Sequence, residues 1–400
     1  MYEEKTGNLF VHHDIPLPSF PLCLAHGDIG KGGTAGNFCA VGTFSPGIEV
    51  WNLDVLNALE PSCVLGGEDT TAADELMKIN MARAMGGKKL HKKKALSASS
   101  GLVAGSHTDA VMSLSWNKTH RQVIASGSVD KTVKLWDVTT GANAATLEHH
   151  RDKVQAIEWH PTEGTLLATG SYDRTVAVVD ARSTEARKVK ISADIEALVW
   201  DPHHSHYLTA ATEDGVLSSW DVRKFEKPVW SFVADEFGGV SDLSYSPLVP
   251  GLLVTCAINK TVTLWDTYKD GTVSETQPTP CGSKDMSVGK LYTVSMYPSS
   301  PWILACGGGG KEMALWDMTR ESSVRNRFSG RVSESGGATT TTPSHQEESE
   351  TKETDFEAMM AAQDGAMEKI RENEQKKTNN KKGKKSGKKG KKKGAHRRGR

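Results

Sequence analysis

Residues 106–137 read SHTDAVMSLSWNKTHRQVIASGSVDKTVKLWD. Three runs of alternating apolar residues end at Trp116, near Ser128 and at Trp136, and polar breaks at Asn117–Gln122 and Val129–Lys131 separate them. Period-two alternation between turn-forming breaks marks half-buried antiparallel strands. Strands this short cannot bury a core alone, so the unit is expected to recur.

It does recur. Alternating runs ending in Trp-Asp or a relative stand as IEVWNLD at Trp51, VKLWD at Trp136, VAVVD at Val179, LSSWD at Trp220, VTLWD at Trp265 and MALWD at Trp316. From Trp136 onward the steps are 43, 41, 45 and 51 residues, the period of four-stranded propeller blades. A second aromatic mark at Trp116, Trp159, Trp200, Tyr245 and Tyr297 precedes those endings by 20, 20, 20, 20 and 19 residues. Six residues before the endings a turn residue recurs as Asp130, Asp173, Asp214 and Asn259, with Gly310 in the last unit.

These features resemble the WD40 repeat family, across residues 8–328. The resemblance implies an all-β propeller of four-stranded antiparallel blades, with six blades recognisable and a seventh incomplete or missing at the N-terminus. It also implies a buried hydrogen-bond network of Trp, Ser or Thr, His and Asp. The second blade matches best, with His107, Ser126 or Ser128, Asp130 and Trp136; Asp173, Asp214, Trp220, Trp265 and Trp316 are the corresponding positions elsewhere. An indole and an imidazole buried together need partners, or each loses about 1–3 kcal/mol. A structural role for these residues is therefore expected rather than a catalytic one. Val179 in place of Trp, the lack of His before Ile195, and Gly310 in place of Asp predict that the third, fourth and sixth blades rest more on apolar packing.

The step from Trp51 to Trp136 is 85 residues, and residues 67–105 show no strand alternation. The propeller is accordingly assigned to residues 1–66 and 106–329, with a lysine-bearing insertion at 67–105. The insertion carries a short helix with Met77, Met81 and Met85 on one face, followed by a basic run that includes Lys92, Lys93 and Lys94. At the start of the chain LFVHHD resembles TLEHHRD at 146–152. Leu9–Val11 is expected to be an outer strand, which either completes the blade ending near Trp316, giving six, or belongs to a partial seventh.

Formal net charge is zero, from 49 basic and 49 acidic residues, but residues 371–400 hold 15 Lys and Arg against 2 acids, +13, which leaves −13 on residues 1–370. Residues 330–370 read as an acidic linker with a short helix, opened by a capping box at Thr354–Glu357, that orders on a partner. Residues 371–400 read as a disordered basic tail, because like charges repel and nothing apolar is available to bury. Lys381, Lys382, Lys384, Lys385, Lys388, Lys389, Lys391, Lys392, Lys393, Arg397, Arg398 and Arg400 are its candidate nucleic-acid contacts, or equally a nuclear address, with Lys92, Lys93 and Lys94 as a second patch. Such charge binds phosphate backbones through counterion release and without sequence preference. No aromatics interleave with it, so base-specific reading is not expected.

Other chemistries are not supported by motif. There is no Gly-rich loop leading to Lys-Ser or Lys-Thr, no G-x-G-x-x-G after a strand and no H-E-x-x-H. CGGGGKE at Cys306 lies between two strands and reads as a turn. His203, His204 and His206 lack partner ligands at metal spacing and read as a solvent-facing loop. No enzyme, cofactor, metal or small-molecule substrate is expected. No apolar stretch of membrane-spanning length occurs, so no membrane role is expected. The six cysteines form no C-x-x-C and read as reduced thiols.

A closer resemblance lies in the order of the segments. VHHDIPLP at Val11, IEVWNLDVLNALEP at Ile48, a lysine insertion and then SHTDAVMSLSWNK at Ser106 are similar to the periodic tryptophan protein 1 family. That resemblance implies a non-catalytic WD40 scaffold of the nucleus and nucleolus, acting in large ribosomal subunit assembly and rRNA processing. Its implied partners are ribosome-assembly proteins and pre-ribosomal RNA, the alternative being a module that binds histones or chromatin and regulates transcription. Family members carry further sequence ahead of VHHD, including an acidic stretch and the remainder of a blade, so the resemblance leaves both closures, with six or with seven blades, as alternatives.

Overall fold

The computed structural model describes residues 2–3, 8–69 and 101–332, apart from 184, 237, 270 and 311. Lys92, Lys93, Lys94, the Met77–Met85 helix, the Thr354 capping box and Lys381–Arg400 lie outside the described residues.

Among the described residues six antiparallel blade sheets succeed one another, beside two two-stranded hairpins. The second blade is the pattern for the rest: Val111–Trp116, Val123–Ser128, Val133–Asp137 and Ala142–Leu147 pair in chain order. The inner strands of the first and the third to sixth blades are Pro21–Ile29, Val154–Trp159, Ile195–Trp200, Val240–Tyr245 and Leu291–Met296. Five sheets have four strands. The sixth, Leu291–Met296, Ile303–Gly308 and Ala314–Asp317, has three among the described residues.

A turn immediately after the third strand explains the Trp-Asp ending. In every blade the residue after the aromatic position accepts the backbone N–H two residues on: Asn52 from Asp54, Asp137 from Thr139, Asp180 from Arg182, Asp221 from Arg223, Asp266 from Tyr268 and Asp317 from Thr319. A short acceptor side chain thus stops the third strand and satisfies a turn donor. The turn before that strand uses the same device. Asp130, Asp173 and Asn259 accept from Thr132, Thr175 and Thr261, and Lys131, Arg174 and Lys260 between them adopt left-handed backbone.

Successive inner strands pack on one another, and the described core clusters join first blade to second, third to fourth, fourth to fifth and fifth to sixth. The long step from Trp265 to Trp316 arises from an extra hairpin, Tyr268–Lys269 with Thr272–Val273, ahead of the fifth blade's outer strand. Past the sixth blade, a helix at Ser322–Phe328 buries Val324 and Phe328 in the core shared by the fifth and sixth blades. The two ends of the insertion are stapled together: Glu68 bridges Leu102, and Asp69 N–H and Val103 N–H bond Gly101 and Gly67 carbonyls.

The structure corrects two expectations. Strand Asn8–Leu9 pairs with Tyr2–Glu3, so Leu9–Val11 does not complete the sixth blade. The sixth aromatic position is held by Met296, opposite Leu304 just as Trp116 lies opposite Ile124. Tyr297 stands one residue past the strand, half exposed, which accounts for its 19-residue step.

Candidate functional site: the blade network and the inner-strand staples

In the second blade four predicted residues meet. Trp136 Nε1–H donates to Ser126 Oγ at 2.8 Å, Ser126 Oγ lies 2.7 Å from His107 Nε2, and His107 Nδ1 lies 2.8 Å from Asp130 Oδ2. With His107 neutral and protonated at Nδ1, every donor in the chain from indole to carboxylate has an acceptor. Burial pushes the His107 pKa down, against the pull of Asp130. Burial alone would raise the Asp130 carboxyl, but hydrogen bonds from His107, Thr132 and the Thr108 N–H outweigh it and hold it well below the usual range. Ser126 fills the serine position; Ser128 instead donates to the Asp109 carbonyl.

Elsewhere the network differs from expectation. The third blade keeps it despite Val179: His150 Nδ1 stands 3.0 Å from Asp173 Oδ2 and Nε2 stands 2.8 Å from Thr169 Oγ1. His150 precedes Asp173 by 23 residues, as His107 precedes Asp130, a spacing that reveals it in the sequence. In the fifth blade Trp265 donates to Thr255 at 2.9 Å, and Asn259 donates to Asp235 at 2.5 Å. Trp220 and Trp316 do not belong to a network: among the described residues their buried indole N–H groups have no partner. Their serine-equivalent positions, ten residues earlier, hold Ala210 and Cys306, which cannot serve as Ser126 does. Asp214 accepts the Thr212 hydroxyl at 2.5 Å and, among the described residues, does not meet a histidine.

A second set of contacts, which the periodicity did not reveal, staples inner strand to inner strand. Ser113 and Ser115 accept the N–H groups of Ile157 and Trp159 at 3.0 and 3.1 Å. Glu158 accepts that of Trp200 at 2.7 Å, and Asp242 and Ser244 accept those of Val294 and Met296 at 3.0 and 3.2 Å. Burial pushes Glu158 up to about 8, opposed by the Trp200 N–H, and Asp242 up to about 6, opposed by the Val294 N–H and the Thr293 hydroxyl.

The His203–His206 loop is not the free solvent loop expected. His203 Nε2 is 3.0 Å from the Ser246 carbonyl, and His204 Nδ1 meets Tyr268 OH, which also reaches the buried Asp201 at 3.0 Å. These groups tie the fourth blade to the extra hairpin of the fifth, and no group of three metal-ligating side chains occurs among the described residues. The Gly309 and Gly310 N–H groups bond the Lys290 and Val288 carbonyls, so the glycine run is a paired turn. Burial raises all six thiols, all of which are free.

Between the outer edges of the third and fourth blades lies an open groove of about 1100 Å³, with Arg187, Lys188, Lys224 and Lys227 on its walls beside Asp221, Glu226 and Glu275. Arg223, on the same wall, makes a two-pronged hydrogen bond to Asp221. Among the described residues the groove presents side chains of both charges on walls built from the blades' outer strands and loops.

The WD domain, G-beta repeat model matches residues 101–137, and the MIOS WD40 repeat model matches 141–288. Among solved structures, a chain of a mitotic checkpoint complex crystal structure superposes with a TM-score of 0.56 at 18% identity, over 79% of this chain and 80% of that one. It shares the fold. An uncharacterized WD repeat-containing protein of Schizosaccharomyces pombe is 39% identical over 84% of this chain. Periodic tryptophan protein 1 of Saccharomyces cerevisiae is 36% identical over 81%, and its Drosophila melanogaster homolog 30% identical over 82%. The chain spans 61%, 56% and 66% of the length of these three relatives. On these identities and its repeated blades, the chain belongs to the WD40-repeat family of periodic tryptophan protein 1.

Proposed function

We propose that this protein is a non-catalytic scaffold of nucleolar ribosome biogenesis. Its propeller docks large-subunit assembly proteins, and its tail from Lys381 to Arg400 holds pre-ribosomal RNA electrostatically. The observation that carries the reading is the division of charge, −13 on residues 1–370 and +13 on residues 371–400, in a chain of this family. A net acidic stretch suits contacts with basic protein surfaces, whereas clustered cationic side chains suit a phosphate backbone. The blade hydrogen bonds fit a scaffold role, because the His107–Asp130 and His150–Asp173 pairs are buried inside the blades, where they tie strands together.

Affinity purification of the tagged full chain tests the reading, with large-subunit precursor particles and nucleosomes scored in the same eluate. Enrichment of precursors, together with accumulation of unprocessed rRNA on depletion, is expected. Enrichment of nucleosomes with normal rRNA processing would favour the chromatin role instead.

A further inference from the structure

Thr255 of the fifth blade stands where Ser126 and Thr169 stand in the second and third, ten residues before the blade-ending position. In the second blade Ser126 Oγ has three neighbours: the Trp136 indole at 2.8 Å, the Lys134 carbonyl at 3.4 Å and His107 Nε2 at 2.7 Å. Thr255 Oγ1 keeps the first two, with the Trp265 indole at 2.9 Å and the Thr263 carbonyl at 3.5 Å. Among the described residues the imidazole has no counterpart beside it. A contact of 3.5 Å is at the limit of hydrogen bonding, so the Thr255 hydroxyl can donate to a better acceptor.

The turn ahead of the third strand is preserved as well. Asp130 Oδ1 accepts from the Thr132 N–H and hydroxyl at 2.9 and 2.6 Å, and Asn259 Oδ1 accepts from the Thr261 N–H and hydroxyl at the same two distances. The difference lies 23 positions earlier. That residue is His107 in the second blade, His150 in the third and Ile191, packed against the apolar core, in the fourth. In the fifth it is Glu236, which is exposed. A glutamate held in solvent does not fill the space that an imidazole fills in two sister blades.

A cavity of about 410 Å³ lies at this place, with Thr255, Asn259, Thr261, Asp235 and Glu236 on its walls. Its size is within the roughly 300–1,000 Å³ of ligand sites. Asp235 is 9% exposed and accepts the Asn259 side-chain N–H at 2.5 Å, so the carboxylate that Asp130 supplies in the second blade is supplied by Asp235 in the fifth. A hydroxyl that can donate and a carboxylate that can accept are the two partners of the Nδ1-protonated His107 ring. Among the described residues the cavity wall carries two carboxylates and no basic side chain, which disfavours an anionic guest and suits one that brings N–H donors.

We infer that this cavity binds an imidazole group, the side chain of a histidine on a partner polypeptide. One ring nitrogen of the guest accepts from the Thr255 hydroxyl and the ring N–H donates to Asp235, so that the guest does from outside what His107 does from within. The two sister blades supply the template for the ligand, and the exposed Glu236 marks the side from which a tethered side chain enters. The inference deepens the scaffold reading by assigning one partner contact. Its test involves no RNA or ribosomal readout, so either can fail alone.

The test has two arms. In the first, 4-methylimidazole is titrated into the full chain and followed by the NMR methyl signals of Thr255 and Thr261, with toluene, which has no ring nitrogen, as the control. A saturable shift is expected for 4-methylimidazole and none for toluene. Glu236→His supplies the ring from inside, and Thr255→Val removes the hydroxyl at nearly constant shape; each is expected to weaken binding at least about tenfold. Thr255→Val also strips the Trp265 indole of its acceptor, so Glu236→His decides the outcome if the valine variant does not fold. No saturable shift in the native chain, an equal response to toluene, or undiminished binding by Glu236→His overturns the proposal. In the second arm, the native chain selects from two displayed peptide libraries, one with a fixed central histidine and one with alanine in its place. Enrichment from the histidine library alone, lost when Glu236→His is the bait, is expected. Equal enrichment from both libraries, enrichment from neither, or enrichment that survives Glu236→His contradicts a histidine-bearing partner.

Discussion

Glu158 of the third blade accepts the backbone N–H of Trp200 of the fourth at 2.7 Å, and the Trp200 indole N–H donates to the Glu158 carbonyl at 3.2 Å. The two blades are thereby fixed in register by polar contacts as well as by the apolar core they share. Both Glu158 and Asp242 are pushed above the usual carboxyl range by burial, to about 8 and about 6. The folded chain then binds more protons than the unfolded one across that interval. Their stabilisation is complete below the unfolded carboxyl pKa and is lost as pH rises through the folded values. The carboxyl contribution to the melting temperature is expected to fall from about pH 4.5 to about pH 8, and Glu158→Gln, which keeps an acceptor and cannot ionise, is expected to flatten that limb. An unchanged slope in the variant would mean that Glu158 is not protonated in the fold.

On the acid side the sign reverses. Burial pushes His149 down to about 3 and also lowers His107 and His150. Stability held by these neutral imidazoles is present above the unfolded histidine pKa and is lost as pH falls below it. His107→Asn and His150→Asn are expected to shrink the drop in melting temperature between about pH 6.5 and about pH 4.5, measured by calorimetry.

Ser126 serves both Trp136 and His107, so Ser126→Ala leaves two buried groups unpaired. A loss of about 2–4 kcal/mol is expected by urea denaturation. Trp316→Phe removes an indole N–H that has no partner among the described residues and is expected to cost about 1 kcal/mol or less beyond its lost apolar area.

The buried Asp266 carboxylate receives Arg327 Nε at 2.5 Å and Arg331 Nη1 and Nη2 at 2.7 and 3.0 Å. Asp266→Asn breaks this clamp, which holds helix Ser322–Phe328 to the fifth blade. Because both arginines are partly solvated, a cost of about 2–3 kcal/mol is expected, below that of a fully buried pair. Limited trypsin digestion should then cut at Arg320–Arg331 before the blades.

Much of this architecture is legible in two spacings. The Trp-Asp register marks all six blades and the inner-strand aromatic register matches the second to fifth, because a strand that must bury one face repeats its apolar residues at fixed steps. The polar network is legible only where its residue types are intact. His107, Ser126, Asp130 and Trp136 stand out, whereas Val179 in the Trp position masks His150, whose only mark is the 23-residue spacing to Asp173. Trp220 and Trp316 match the pattern without joining a network, because an indole alone does not show what stands ten residues before it. The staples at Ser113, Glu158 and Asp242 stay hidden, since they depend on which residues of separate blades face one another.

The scaffold account stands most directly on RNA association by the full chain and by a form ending at residue 370, each titrated against large-subunit precursor RNA across salt. The full chain is expected to bind with a steep salt dependence, and removing net +13 should lower the slope of log affinity against log salt by up to about 9, while assembly proteins still copurify with the propeller. Equal RNA affinity and equal slope for the two forms, or loss of the protein partners along with the tail, would contradict it.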